Sequence, residues 1–130
     1  IVLPIDAIVT DEEKNRECFI NEIKEDEIGY DIGPKTVEVF SQYINDAKTI
    51  FWNGPVGYAE EEDFANGTKK ICEILSKTKA ITIIGGGDTA SVVTNLGYEN
   101  SFTFISTGGG ASLEFIANET LPAIEVIGCE

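Results

Sequence analysis

Ile81-Thr82-Ile83-Ile84-Gly85-Gly86-Gly87-Asp88-Thr89-Ala90 reads as a strand, a tight turn and the start of a helix. β-Branched residues at 81–84 without polar alternation suit a strand buried on both faces, as parallel strands in α/β proteins are. Three glycines then leave the main chain bare, so a ligand can approach it closely. Successive N–H groups at the positive end of a helix dipole attract anions, phosphate above all. Asp88 or Thr89 is placed to cap the helix, and Ala90, Val93 and Leu96 with Gly97 behind them give an apolar stripe and a stop.

Outward from this stretch the same order recurs twice. Thr49-Ile50-Phe51-Trp52 runs into Asn53-Gly54-Pro55-Val56-Gly57, and Phe102-Thr103-Phe104-Ile105 runs into Ser106-Thr107-Gly108-Gly109-Gly110-Ala111-Ser112. Three strand, glycine-loop and helix units with right-handed crossovers put all three loops at the carboxyl ends of parallel strands. The remaining helices are expected from Pro34 through Ala47, from about Glu61 to Lys77, and from Ala111 to about Ala117. Ile1 to Val9 reads as a strand, Asp11 to Glu27 as a charged connection with one short strand, Gly29 to Pro34 as a turn, and Ile124 to Ile127 as an apolar tail. The fold class is therefore α/β, a Rossmann-like parallel sheet with helices on both faces. With only about four strands, an edge of buried character has nothing beside it, so the domain reads as incomplete.

The chain has 130 residues, room for at most one domain, and a formal net charge of −14 that argues against nucleic-acid or membrane partners. Cys18, Cys72 and Cys129 are widely spaced, and with no His in the chain they offer neither a disulfide framework nor a zinc site. A reducing cytoplasm is the expected compartment, and the absent initiator Met suggests a truncated start. All nine basic residues lie between Lys14 and Lys79. A phosphate at the two later glycine loops must therefore be balanced by backbone dipoles, a metal ion or cations from elsewhere.

Gly85-x-Gly87-x-x-Ala90 formally matches a dinucleotide fingerprint, but the acidic residue expected about 20 positions on is missing. No Lys accompanies any glycine cluster, which excludes a P-loop. Asp88 is either a plain helix cap or a carboxylate that reaches a phosphate through Mg²⁺. Glu60 is either a first-turn helix acid or an acceptor for ribose hydroxyls, and Asn53 and Pro55 read first as turn residues. Thr107 to Gly110 has more glycine than an ordinary turn requires and reads as a second anion nest.

Four ordered blocks resemble the phosphoglycerate kinase family: Trp52 to Gly57 with Glu60, Phe64-Ala65-Asn66-Gly67-Thr68, Ile84 to Thr89, and Ile105 to Glu114. Leu3-Pro4-Ile5-Asp6 and Asp31-Ile32-Gly33-Pro34 extend the likeness, and Tyr58 and Ala59 stand where the family usually has a smaller apolar residue and then Phe. The resemblance implies that residues 1–130 are part of the family's C-terminal nucleotide-binding domain. Gly86, Gly87, Asp88 and Thr89 would then meet the phosphates of ADP or ATP, with Asp88 on their Mg²⁺. Glu60 would hold the ribose, Gly29 would line the adenine pocket with Asn53 and Pro55 nearby, and Gly108, Gly109 and Gly110 would offer N–H groups to the phosphoryl group in transfer. The family transfers phosphate between 1,3-bisphosphoglycerate and ADP, giving 3-phosphoglycerate and ATP, as a monomeric cytoplasmic enzyme of glycolysis. Its glycerate-binding arginines and histidines lie in an N-terminal domain, so the chain alone is expected to be inactive. A non-catalytic nucleotide-binding module, half of a split enzyme, and an NAD-binding oxidoreductase domain are the alternatives.

Overall fold

A computed structural model describes residues 1–11 and 13–128; Cys129 lies outside them. In order come β1 (Asp6–Thr10), β2 (Asn15–Phe19), β3 (Ile28–Ile32), α1 (Pro34–Asp46), β4 (Thr49–Asn53), α2 (Asn66–Lys77), β5 (Ile81–Gly85), α3 (Gly87–Asn95), β6 (Phe104–Ser106), α4 (Gly109–Asn118) and α5 (Pro122–Ile127). Single turns of 3₁₀ helix stand at Ile20–Glu22, Glu62–Phe64 and Glu99–Ser101.

The α/β reading holds. Strands β4, β5 and β6 are parallel and lie in that order, with Asn53 opposite Gly85 and Gly85 opposite Ser106. All three strands therefore end at one level, and their glycine loops share an edge. Trp52 and its register partner Ile84 share a core with Ile71, Cys72 and Leu75 of α2, Val93 of α3 and Phe102. Both crossover helices consequently cover the same face. Ile84 and Val93 are fully buried, and each such side chain contributes about 2 kcal/mol of hydrophobic stabilisation. The expectation that β5 is buried on both faces is not met: Thr82 and Ile84 are buried on one face, whereas on the other Ile81 is exposed and Ile83 only half-buried. Strand β6 begins at Phe104 rather than Phe102, because Thr82 and Thr103 exchange N–H to Oγ1 bonds of 3.1 Å where ladder bonds would otherwise run.

The first third forms a second sheet that periodicity does not reveal. Strand β1 is central, antiparallel to β2 and β3. Residues 29–32, expected as a turn, belong to β3; Tyr30 is the extra residue of a bulge, since Val9 pairs with Gly29 and Ile8 with Asp31. Helix α2 starts at Asn66, later than the acidic run suggested, with Glu62 and Asp63 in a separate 3₁₀ turn. The expected apolar tail is helical as α5.

Two buried carboxylates tie this sheet to the helices. Asp6 of β1 accepts the N–H groups of Lys35 and Thr36 at 2.9 and 2.7 Å, capping α1 from a distance. Thr36 Oγ1 in turn accepts the amides of Ile5 and Asp6. Asp31 of β3 does the same for α2, accepting the Gly67 N–H at 2.7 Å. Gly33 sits so close to the Asp6 carboxylate, and Gly57 and Gly67 to that of Asp31, that no Cβ fits. Burial opposes ionisation of Asp6, but hydrogen bonds from Thr36 and Lys35 outweigh it and hold its pKa below the usual value. At Asp31 burial wins over the amides, and its pKa is raised.

β4 is an edge strand of its sheet. Beside it an apolar groove of about 320 Å³ is lined by residues including Val2, Phe40, Tyr43 and Trp52. The indole N–H of Trp52 is buried with no acceptor among the described residues.

Asp6→Asn should cost about 2 kcal/mol at neutral pH, because a charged acceptor of two helix amides is lost. A depressed pKa contributes stability present above the ordinary value of 3.8 and lost as pH falls through the folded value. Urea unfolding should therefore show the gap between wild type and variant narrowing below that pH; a constant gap would contradict the assigned role of the carboxylate.

Candidate functional site: three glycine loops on one edge of the sheet

The three loops meet around a cavity of about 330 Å³ lined by Asn53, Gly54, Gly86, Gly87, Asp88, Thr89, Thr107, Gly109 and Gly110. Their contact is main chain on main chain. The Gly86 N–H donates to Ser106 O at 2.9 Å. A Cβ on Gly109 would stand 2.7 Å from Gly86 Cα and would overlap Asn53 Oδ1. The Asn53 side chain fills the space among Gly85, Gly86 and Gly109. Gly54 and Gly86 both have φ of +94°, a conformation in which a side chain is strained.

Both flanking helices begin at this cavity. Helix α3 has Gly86 as N-cap, and its first internal bond is Ala90 N–H to Gly86 O at 3.0 Å. The amides of Gly87, Asp88 and Thr89 therefore have no intrahelical acceptor. Helix α4 has Gly108 as N-cap and starts with Ser112 N–H to Gly108 O at 2.9 Å, which leaves Gly109, Gly110 and Ala111 in the same position. Two positive helix ends thus adjoin one small volume. No Lys or Arg lines it.

Individual residues divide by what already occupies them. The Gly108 N–H is committed to Ser106 Oγ at 3.2 Å and the Gly86 N–H to Ser106 O, so these two glycines supply shape and close approach. Ser106 and Ser112 hydroxyls lie 3.1 Å apart, and Ser112 Oγ donates to Gly108 O at 2.8 Å, fixing the third loop. Neither Asp88 nor Thr89 caps α3 with its side chain. Instead Thr89, fully buried, accepts the Gly54 N–H through Oγ1 at 2.7 Å and so ties the first loop to α3. Asp88 is exposed at the second position of α3, the one carboxylate on the cavity wall. No cluster of three or more His, Cys, Asp or Glu residues suited to a metal occurs among the described residues. A cation here needs ligand oxygens as well as Asp88, which fits a metal brought by a phosphate ligand.

The structure brings Asn53, Gly86, Gly87, Asp88, Thr89, Gly109 and Gly110 together. Gly108, Pro55, Glu60 and Gly29 lie outside the cavity lining: Gly108 is the N-cap of α4, Glu60 is exposed in a turn, and Gly29 is in β3. The loop nevertheless reaches β3, because the Tyr58 N–H donates to Tyr30 O at 2.8 Å. There the Tyr30 ring lies 5.8 Å from that of Tyr58 and stacks on Phe64 at 4.9 Å. Thr107, the first residue of the anion nest read from the sequence, also lines the cavity; Gly54 does so without having been singled out for ligand contact, and its place in a glycine loop was the available signal.

Residues 1–119 match the model of the family described as "Phosphoglycerate kinase". The chain belongs to the phosphoglycerate kinase family. It is 50% identical to the phosphoglycerate kinase of Fusobacterium nucleatum and 48% identical to that of Pseudothermotoga lettingae, in each case over 98% of this chain and 33% of the relative. Among solved structures, phosphoglycerate kinase from Coxiella burnetii superposes with a TM-score of 0.87 at 36% identity, covering 97% of this chain and 34% of that one. The kinase from Pyrococcus horikoshii gives 0.81 at 31% identity, covering 95% and 31%. The chain thus spans about a third of the length of these kinases. Family membership removes the dinucleotide-dependent oxidoreductase reading. No helix among the described residues is long and apolar enough to cross a membrane.

Gly109→Ala should lower the thermal midpoint by several degrees, since its Cβ meets backbone that cannot yield. Gly110→Ala, whose Cβ meets nothing within 4 Å, should leave it nearly unchanged. Equal effects in a melting experiment would contradict the packing described.

Proposed function

We propose that this chain is the nucleotide-holding part of a phosphoglycerate kinase, the part that presents MgADP or MgATP for phosphoryl exchange with 1,3-bisphosphoglycerate or 3-phosphoglycerate. The observation that carries the reading is the convergence of two helix N-termini on one cavity without a basic side chain. The amides of Gly87, Asp88 and Thr89 hold the nucleotide phosphates. The amides of Gly109 and Gly110 face the phosphoryl group in transfer, with Gly108 shaping the turn. When bound, Mg²⁺ neutralises phosphate charge, and Asp88 holds it through the nucleotide rather than alone. Asn53 and Pro55 lead the loop from the phosphates toward the nucleoside, where Glu60 accepts the ribose hydroxyls and Gly29 lines the adenine side. The Tyr58 to Tyr30 hydrogen bond supports this path by joining the loop to β3.

In the ATP-forming direction, an oxygen of the ADP β-phosphate bonds to phosphorus as the bond from phosphorus to the acyl oxygen breaks, releasing carboxylate. Such a transfer calls for positioning and charge stabilisation, and preorganised amides supply both without reorganisation. The groove beside β4, the orphan Trp52 N–H and the chain's length relative to full kinases support a larger parent domain covering that edge. Glycerate binding belongs to the segments that a full kinase has in addition, so the chain by itself does not turn over, which a coupled assay on the purified chain checks. The complete enzyme reads as a monomer of the glycolytic cytoplasm.

Asp88→Ala should weaken MgADP binding by calorimetry about tenfold more than it weakens binding of metal-free ADP. Equal losses for the two ligands would remove Asp88 from the metal and return it to a role in the helix alone.

A further inference from the structure

The loop leaving β4 is anchored at alternate amides by three different elements. The Gly54 N–H donates to Thr89 Oγ1 of α3 at 2.7 Å, the Val56 N–H to Thr68 Oγ1 of α2 at 3.2 Å, and the Tyr58 N–H to Tyr30 O of β3 at 2.8 Å. Between the last two, Gly57 is backed by the Asp31 carboxylate and the Phe64 carbonyl. Thr89 belongs to the cavity wall, but Thr68 does not: it is fully buried, and α2 contributes no residue to the cavity.

We propose that Thr68 is a positioning residue for the phosphate cradle, holding the loop so that Asn53 and Gly54 keep their places against Gly86, Gly109 and Thr89. The inference rests on the nucleotide reading above. Its physical basis is the cost of leaving a half-buried amide without an acceptor. If Thr68 lacks its hydroxyl, the Val56 N–H has to turn toward water, and the loop carries Gly54 with it, two residues upstream. Gly54 is the donor that orients the Thr89 hydroxyl. Loss at Thr68 therefore reaches a cavity group through main chain rather than by contact with a ligand. Asp31 supports the same arrangement from below, accepting the Gly67 N–H next to Thr68 while packing against Gly57.

The test compares Thr68→Val, Thr68→Ala and Thr68→Ser in this chain, reading MgADP affinity by calorimetry, amide hydrogen exchange at Gly54 and Val56, and thermal midpoint. Valine keeps the volume and removes the acceptor, alanine removes the hydroxyl without setting a methyl against the amide, and serine keeps the acceptor. Expected are an affinity loss of about fivefold or more in T68V and T68A, faster exchange at both Gly54 and Val56, and an affinity within about twofold of wild type in T68S. Faster exchange at Val56 with wild-type MgADP affinity would overturn the proposal and make Thr68 merely structural. So would an equal loss in T68S, which would assign the effect to the methyl group. Absence of MgADP binding by the wild-type chain would instead overturn the nucleotide reading, and this inference with it.

Discussion

Gly109 lies against Gly86 and the Asn53 side chain with no room for a single additional carbon. This contact between bare main chains determines what the carboxyl edge of the parallel sheet can do. Because Asn53, Gly85 and Ser106 are in register, three loops emerge at one level. Because the first two residues of α3 and of α4 are glycine or aspartate, their N-termini can approach one cavity without side chains in the way. A larger residue at Gly109 would separate the loops and disperse the very amides whose convergence suits an anion. The scarcity of basic residues in the latter part of the chain is then intelligible: at this edge the positive potential comes from peptide dipoles, and the Mg²⁺ proposed for Asp88 would add to it.

The antiparallel sheet serves this edge from behind. Its two buried aspartates act as remote caps, Asp6 on α1 and Asp31 on α2, where neither helix has a local side-chain cap. Through Gly57 and Gly67, Asp31 also fixes how closely the β4 loop approaches α2. Residues that resemble family motifs near the start of the chain are accordingly explained by packing and capping rather than by ligand contact. Raised by burial, the Asp31 pKa makes its ionised form less favourable in the fold, so its linkage contribution is full at low pH and is lost as pH rises through the folded value. Asp6 has the opposite sign, and stability on the acid side reflects both.

Much of the sheet was legible because β5 and its neighbours carry signals that agree at every level. β-Branched runs stop at glycines, and Ala90, Val93 and Leu96 restart at helical spacing. The meeting of the loops was legible for the same reason, since Gly86 to Thr89 and Gly109 to Gly110 can be read as glycine-rich helix starts without tertiary information. Strand β3 was not legible: Gly29, Asp31 and Gly33 look like turn chemistry, and a bulge at Tyr30 breaks alternation. The start of α2 was blurred by Glu60 to Asp63, acids that suit a first turn yet precede the helix. Thr89 was read as a cap or phosphate contact, but its bond to Gly54 joins residues 35 apart in sequence. In the sequence Thr68 stands out only as the end of the Phe64 to Thr68 block, and only the fold reveals the amide that its hydroxyl accepts.

Backbone amide shifts followed by NMR during titration with MgADP test the central claim most directly, because they report on the groups said to hold the nucleotide. The account predicts that the largest changes fall together on Gly87, Asp88, Thr89, Gly109 and Gly110. Saturable binding with those amides unmoved, and the changes confined to the antiparallel sheet or the groove beside β4, would contradict it.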